Sequence, residues 1–249
     1  MTLRLGDHDG SVPSLRQQLC RLFTSLPRSE SDVFDADMSA AVSSLQADYT
    51  LSVDGVFGPA TRRALLSALS DLDNAVPDFD RMSPLATGTV QLALDCLRRR
   101  IHETPPGSNR GPEVDRFLSW HGRTSYVNYE KNDAAPGGYR GAPWCGAFVA
   151  WCATSAAKQL GVPLKLATVN DLMGCRKWRV AASRLGLILE SPEPGCVGLV
   201  TRDGALKHVV LVTRVSGDTF WSVEGNSSGD RVRALQRPTS RLGACLRLG

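Results

Sequence analysis

Cys196-Val-Gly-Leu-Val-Thr201, His208-Val-Val-Leu-Val-Thr-Arg-Val215 and Thr219-Phe-Trp-Ser-Val-Glu224 decide the fold class of this chain. Each is short and rich in β-branched and aromatic residues, which suit a pleated, half-buried surface. Arg202-Asp-Gly204 and Ser216-Gly-Asp218 separate them with residues that tolerate tight turns. The three therefore read as consecutive antiparallel strands. Upstream the apolar period is helical. From Cys145, Phe148, Val149, Cys152 and Ala156 recur at i, i+3, i+4 spacing until Gly161-Val-Pro163. A long loop, Ala135-Pro-Gly-Gly-Tyr139 to Pro143, leads into that helix. Helices first and an antiparallel meander after them indicate an α+β domain.

Further upstream, a helix is expected over Val90–His102, stopped by Pro105-Pro-Gly107, with a short one around Val114–Trp120. The first segment reads as all-helical. Val12, Leu15, Leu19 and Leu22 recur at helical spacing; a second helix fits Ser39–Asp48 and a third Ala60–Leu69. Pro59 stands at the expected first position of that third helix, where its missing N–H costs nothing. Residues 1–70 are expected to form a small module, 71–86 a linker, and 87–249 the larger domain.

The 249 residues are 42% hydrophobic and 22% charged, an ordinary soluble composition. No apolar run approaches the ~18 residues that cross a bilayer, so stable membrane insertion is not expected. The N-terminus carries acids where a signal peptide would be apolar. Cytoplasmic synthesis is expected, with action elsewhere only after release or injection. Seven cysteines form no C-x-x-C and no zinc-type cluster, so most read as small buried hydrophobes, with no metal or cofactor expected. Residues 1–86 hold 7 basic and 12 acidic residues, the rest 22 and 13, so a net −5 segment precedes a +9 segment. Charge alone leaves open which anionic polymer the basic half meets.

Cys145 stands apart because it sits where a Gly/Pro-rich loop becomes a helix. Free N–H groups and the positive helix end favour thiolate there, and the same N–H groups can donate to an oxyanion. A base is needed, and four histidines exist. His8 and His102 hold ordinary positions and His121 lies in a loop, whereas His208 opens an apolar strand. With the hairpin turn centred on Ser216 or Gly217, His208 faces Glu224 or Asn226 on the same side of the sheet. Either would orient the imidazole, completing a Cys-His-acid arrangement.

Ala142-Pro-Trp-Cys-Gly-Ala-Phe-Val-Ala-Trp151, Lys207-His-Val-Val-Leu-Val212 and Val223-Glu-Gly-Asn226 resemble the CHAP domain. CHAP belongs to the NlpC/P60-type, papain-like peptidoglycan hydrolases. Ser108-Asn-Arg-Gly-Pro112 with Val114 and Phe117 resembles the segment ahead of the cysteine in that family. One departure is Pro194-Gly-Cys196, where Pro-Gly-Asp is usual. The resemblance implies Cys145 as nucleophile, His208 as base and then acid, Glu224 as the orienting group, and Asn226 as support for the imidazole or the site. Trp144 and Tyr139 would contact substrate.

Asp54-Gly-Val-Phe-Gly-Pro-Ala-Thr-Arg-Arg-Ala-Leu65 resembles the small helical peptidoglycan-binding module, with Asp54 and Phe57 as wall-contacting residues. Met38 stands where threonine is common. The implied function is cleavage of a stem-peptide or N-acetylmuramoyl-L-alanine amide through a cysteine thioester, by a phage endolysin or a secreted antibacterial effector. The expected partner is bacterial peptidoglycan, not nucleic acid, acted on in the periplasm by a monomer. An immunity protein would accompany the effector setting. The rival readings are a catalytically inactive wall-binding protein and a cysteine amidase acting on a protein.

Overall fold

The computed structural model describes residues 2–119, 141–168, 172 and 174–248. Tyr139, His121 and the loop from Ala135 lie outside the described residues. The chain separates into two compact units, Met1–Asp73 and Asn74–Gly249.

In the first unit, α1 (Val12–Leu22), α2 (Ala36–Asp48) and α3 (Pro59–Asn74) enclose Leu15, Leu19, Phe34, Met38, Leu45 and Leu65. Helix α2 starts three residues before Ser39 because Asp35 caps it, its carboxylate accepting the Met38 N–H at 3.0 Å. Helix α3 runs past Leu69 because no Gly or Pro interrupts it before Pro77. Buried Gln46 staples the following loop. Its amide donates to Asp54 Oδ1 (2.7 Å) and the Val56 carbonyl (3.0 Å), and its oxygen accepts the Asp54 and Gly55 N–H groups. Gly55 has φ +68°, and a Cβ there would lie 2.5 Å from Ser39 Oγ.

The second unit begins within the stretch read as a linker. A short 3-10 turn at Phe79–Arg81 precedes α4 (Pro84–Arg98), which starts six residues before Val90, capped by Ser83 Oγ accepting from Ala86 N–H. Then come α5 (Pro112–Leu118), α6 (Cys145–Leu160) and α7 (Cys175–Leu185). The strands are β1 (Ile188–Leu189), β2 (Val197–Arg202), β3 (Ala205–Ser216), β4 (Thr219–Ser227), β5 (Arg231–Pro238) and β6 (Leu242–Leu246). They form one antiparallel sheet in the order β1-β6-β2-β3-β4-β5. The unit is therefore α+β, as the meander implied, and β6 returns to extend it at β2.

Helix α6 packs between α4 and the β3–β4 hairpin. Val209, Leu211 and Val223 face it in one core with Trp144 and Phe148, while Val210, Val212 and Phe220 form a second cluster on the opposite face. Register settles which residues share a face. The hairpin closes through Gly217-Asp218, pairing Ser216 with Thr219 and Val215 with Phe220. Continued unbroken, that register would put His208 and Glu224 on opposite faces. A bulge at Thr213 inserts one residue, after which Val212 pairs Ser222 and Leu211 pairs Val223. His208 and Glu224 then share a face.

No helix among the described residues is long and apolar enough to cross a membrane.

Candidate active site

Cys145 is the first residue of α6, and its N-cap, Trp144, supplies no side-chain cap. The first helical bond runs from Phe148 N–H to Trp144 O, so the N–H groups before it have no intrahelical acceptor. Cys145 is 7% exposed. Burial pushes its thiol up, but the His208 side chain within hydrogen-bonding reach, and the Val209 and Gly146 N–H groups, bring it below its ordinary value.

His208 lies on β3 opposite Val200 of β2. Its Nε2 meets Glu224 Oε2 at 2.8 Å, which leaves Nδ1 to face the thiol. Burial alone would lower its pKa. The Cys145 thiolate and Glu224 outweigh that and raise it to about 10. Glu224 is fully buried, which opposes ionisation, yet His208 and Arg237 hold it at about 2. These shifts favour a thiolate–imidazolium pair over a buried carboxylate. Cys175, at the start of α7, is pushed up to about 11 by burial and by the Cys145 charge, so it stays protonated.

Glu224 has four partners. Besides His208, Arg237 grips both carboxylate oxygens (NH2 to Oε2 at 2.8 Å), while Ser222 and Ser227 hydroxyls donate at 2.8 and 3.2 Å. Arg237 carries no local sequence signal, since its strand, β5, interleaves basic residues with small apolar ones.

Asn226 sits elsewhere in the site. It has φ +53° and donates to Glu103 Oε1 (3.0 Å) and Asn109 Oδ1 (2.7 Å), with no bond to His208. Glu103, 2% exposed, also accepts the Trp144 indole N–H at 2.8 Å and the Asn109 N–H at 2.7 Å. These four residues tie the N-terminus of α6 to the end of β4, so Asn226 supports the scaffold rather than the imidazole. Gly225 completes the joint: a Cβ there would lie 2.5 Å from the Trp144 ring and 2.7 Å from Phe148 Cβ.

Two expected contact residues are corrected. Trp144 is fully buried, stacked on Phe117 at 5.7 Å, and cannot touch substrate. Phe57 is 2% exposed in the core of the first unit, its backbone paired with Leu3. A large aromatic gains more from burial than from a surface contact. Asp54 stays exposed, but its carboxylate is occupied by Val56 N–H and Gln46.

Geometry of this kind, a thiol of lowered pKa on a helix start with an imidazole and a buried acid on adjacent strands, resembles a Cys-His-acid hydrolase arrangement. Residues 137–226 match the CHAP domain family, and residues 8–65 match the family described as putative peptidoglycan binding domain. The two matches fall in the order of an N-terminal binding module followed by a CHAP domain. The CHAP match spans Cys145, His208, Glu224 and Asn226, and stops short of Arg237. No curated protein and no solved structure matches the chain.

Proposed function

We propose that the chain hydrolyses an amide of peptidoglycan, in the stem peptide or at the N-acetylmuramoyl-L-alanine link, with Cys145 as nucleophile. The observation that carries this is the continuous contact from Cys145 through His208 to Glu224, in a chain whose two matched domains support a peptidoglycan hydrolase role.

The Cys145 thiolate attacks the amide carbon, and N–H groups at the start of α6 stabilise the oxyanion. The C–N bond breaks as the His208 imidazolium protonates the leaving amine, giving a thioester. Neutral His208 then takes a proton from water, hydroxide adds to the thioester, and the acid and the ion pair are regenerated. Glu224 holds the imidazole in place throughout.

Purified sacculi incubated with the wild type should release new amino and carboxyl termini that mass spectrometry assigns to one bond. Cys145→Ala should release none while still binding sacculi, and lysis by that variant would sink the proposal. The activity suits a phage endolysin or a delivered antibacterial effector. A neighbouring holin or immunity gene distinguishes the two.

A further inference from the structure

Beside His208, on the sheet face that carries Glu224, lies a cavity of about 610 Å³. Its described lining includes His208, Asn226, Arg202, Lys207, Arg237 and Arg241, and no Asp or Glu. Four cations around one cavity repel one another, and that cost is relieved when an anion enters. They are not equally available. Arg237 is committed to Glu224. Arg202 lies 3.8 Å from Asp203, both well exposed. Lys207 and Arg241 are exposed, and neither pairs with a carboxylate among the described residues. Lys207 directly precedes His208, so its charge sits on the same strand as the imidazole.

The position of the cavity says which part of a substrate it meets. On the hydrolase reading, His208 protonates the leaving amine, so the fragment carrying that amine lies on the His208 side of the scissile bond. We infer that this cavity is the leaving-group subsite, and that Lys207 and Arg241 select a peptide bearing a free carboxylate on the amine side of the cleaved bond. The inference rests on the proposed function and narrows its substrate class to acidic stem peptides over amidated ones. Carboxylates accept charge-assisted hydrogen bonds from lysine and arginine, whereas a carboxamide brings no charge to satisfy the cluster.

The test uses the full chain and two synthetic stem-peptide substrates, identical except that the amine-side fragment ends in a carboxylate or a carboxamide. The wild type should show a KM about tenfold lower for the carboxylate form. The Lys207→Gln, Arg241→Gln double variant should lose that preference by raising KM for the carboxylate form, with kcat held within about twofold. Its thermal midpoint and the labelling rate of Cys145 by a thiol reagent should match the wild type, which separates lost recognition from lost structure. Equal KM values in the wild type, or an intact preference in the double variant, overturn the inference while leaving the hydrolase reading standing. Failure of the wild type to cleave either peptide or sacculi overturns the reading itself, and this inference with it.

Discussion

Replacing Glu224 with Gln changes almost nothing in shape and removes one charge at the centre of the site. His208 is held at about 10 against an ordinary 6.5, so its imidazolium is favoured by on the order of 5 kcal/mol. Two anions supply this against burial, the Cys145 thiolate and Glu224. If Glu224 provides somewhat under half, its loss removes roughly 2 kcal/mol, or roughly 1.5 pH units and 30-fold in the ion-pair population. The sign follows from the direction of each shift. His208 is raised, so the imidazolium persists until pH climbs through about 10. Cys145 is lowered, so the thiolate forms early as pH rises. Glu224→Gln should therefore narrow the profile of kcat/KM from the alkaline side, that limb moving down by roughly 1.5 pH units, while the acid limb, set by Cys145 beside a still-protonated His208, does not rise. A soluble muropeptide assayed from pH 5 to 11, with released amine quantified, reads both limbs. A variant with an unmoved alkaline limb and kcat/KM within about twofold of wild type would refute the electrostatic role given to Glu224.

Three other outcomes are expected. Glu224 sits at about 2 rather than 4.5, so on the order of 3 kcal/mol of stability, present above pH 4.5, should drain away as pH falls toward 2; urea unfolding at stepped pH checks this, and a flat response contradicts it. Gly225→Ala forces a methyl to 2.5 Å from Trp144 and should cost roughly 1–3 kcal/mol in thermal or denaturant unfolding; an unchanged midpoint would deny the close approach. Gln46→Ala strips the Asp54–Val56 loop of its acceptor and should lower retention on sacculi while sparing turnover of soluble peptides; unchanged retention and unfolding would contradict the stapling role.

The parts of the fold legible in the sequence were those whose period is unmixed. Strands β2 to β4 are rich in β-branched and aromatic residues between clear turn signals. In β5, by contrast, Arg231-Val-Arg-Ala-Leu-Gln-Arg237 offers only Val232 and Ala234 to the core shared with the helices, so its signal drowns in arginine. Helix α7 hides similarly, burying Cys175, Trp178, Ala181 and Ala182 on a narrow, mostly small-residue face amid basic residues. The hairpin parity was readable only by accident of compensation. The turn lies at Gly217-Asp218, half a residue past Gly217, and the Thr213 bulge restores the even register that brings His208 and Glu224 together. No local pattern announces a bulge inside a valine-rich strand.

Cys145 and His208 stood out by a thiol at a helix start and an imidazole opening an apolar strand, while the register left Glu224 and Asn226 both open and only the family resemblance favoured Glu224. Arg237 and Glu103 did not stand out, because a buried ion pair or hydrogen-bond hub is defined by partners distant in sequence. Trp144 shows the opposite error: lying next to the nucleophile, it invites a substrate role, but its indole N–H has a buried acceptor in Glu103 and its rings fill the core.

The claim everything else depends on is that Cys145 carries the acyl group. Acid quenching of the wild type during turnover of a soluble muropeptide, followed by peptide mapping, tests it directly. The acyl mass is expected on the peptide containing Cys145 and on no other cysteine peptide, Cys175 included. Turnover without such an adduct, in a protein whose Cys145→Ala variant turns over equally well, would contradict it.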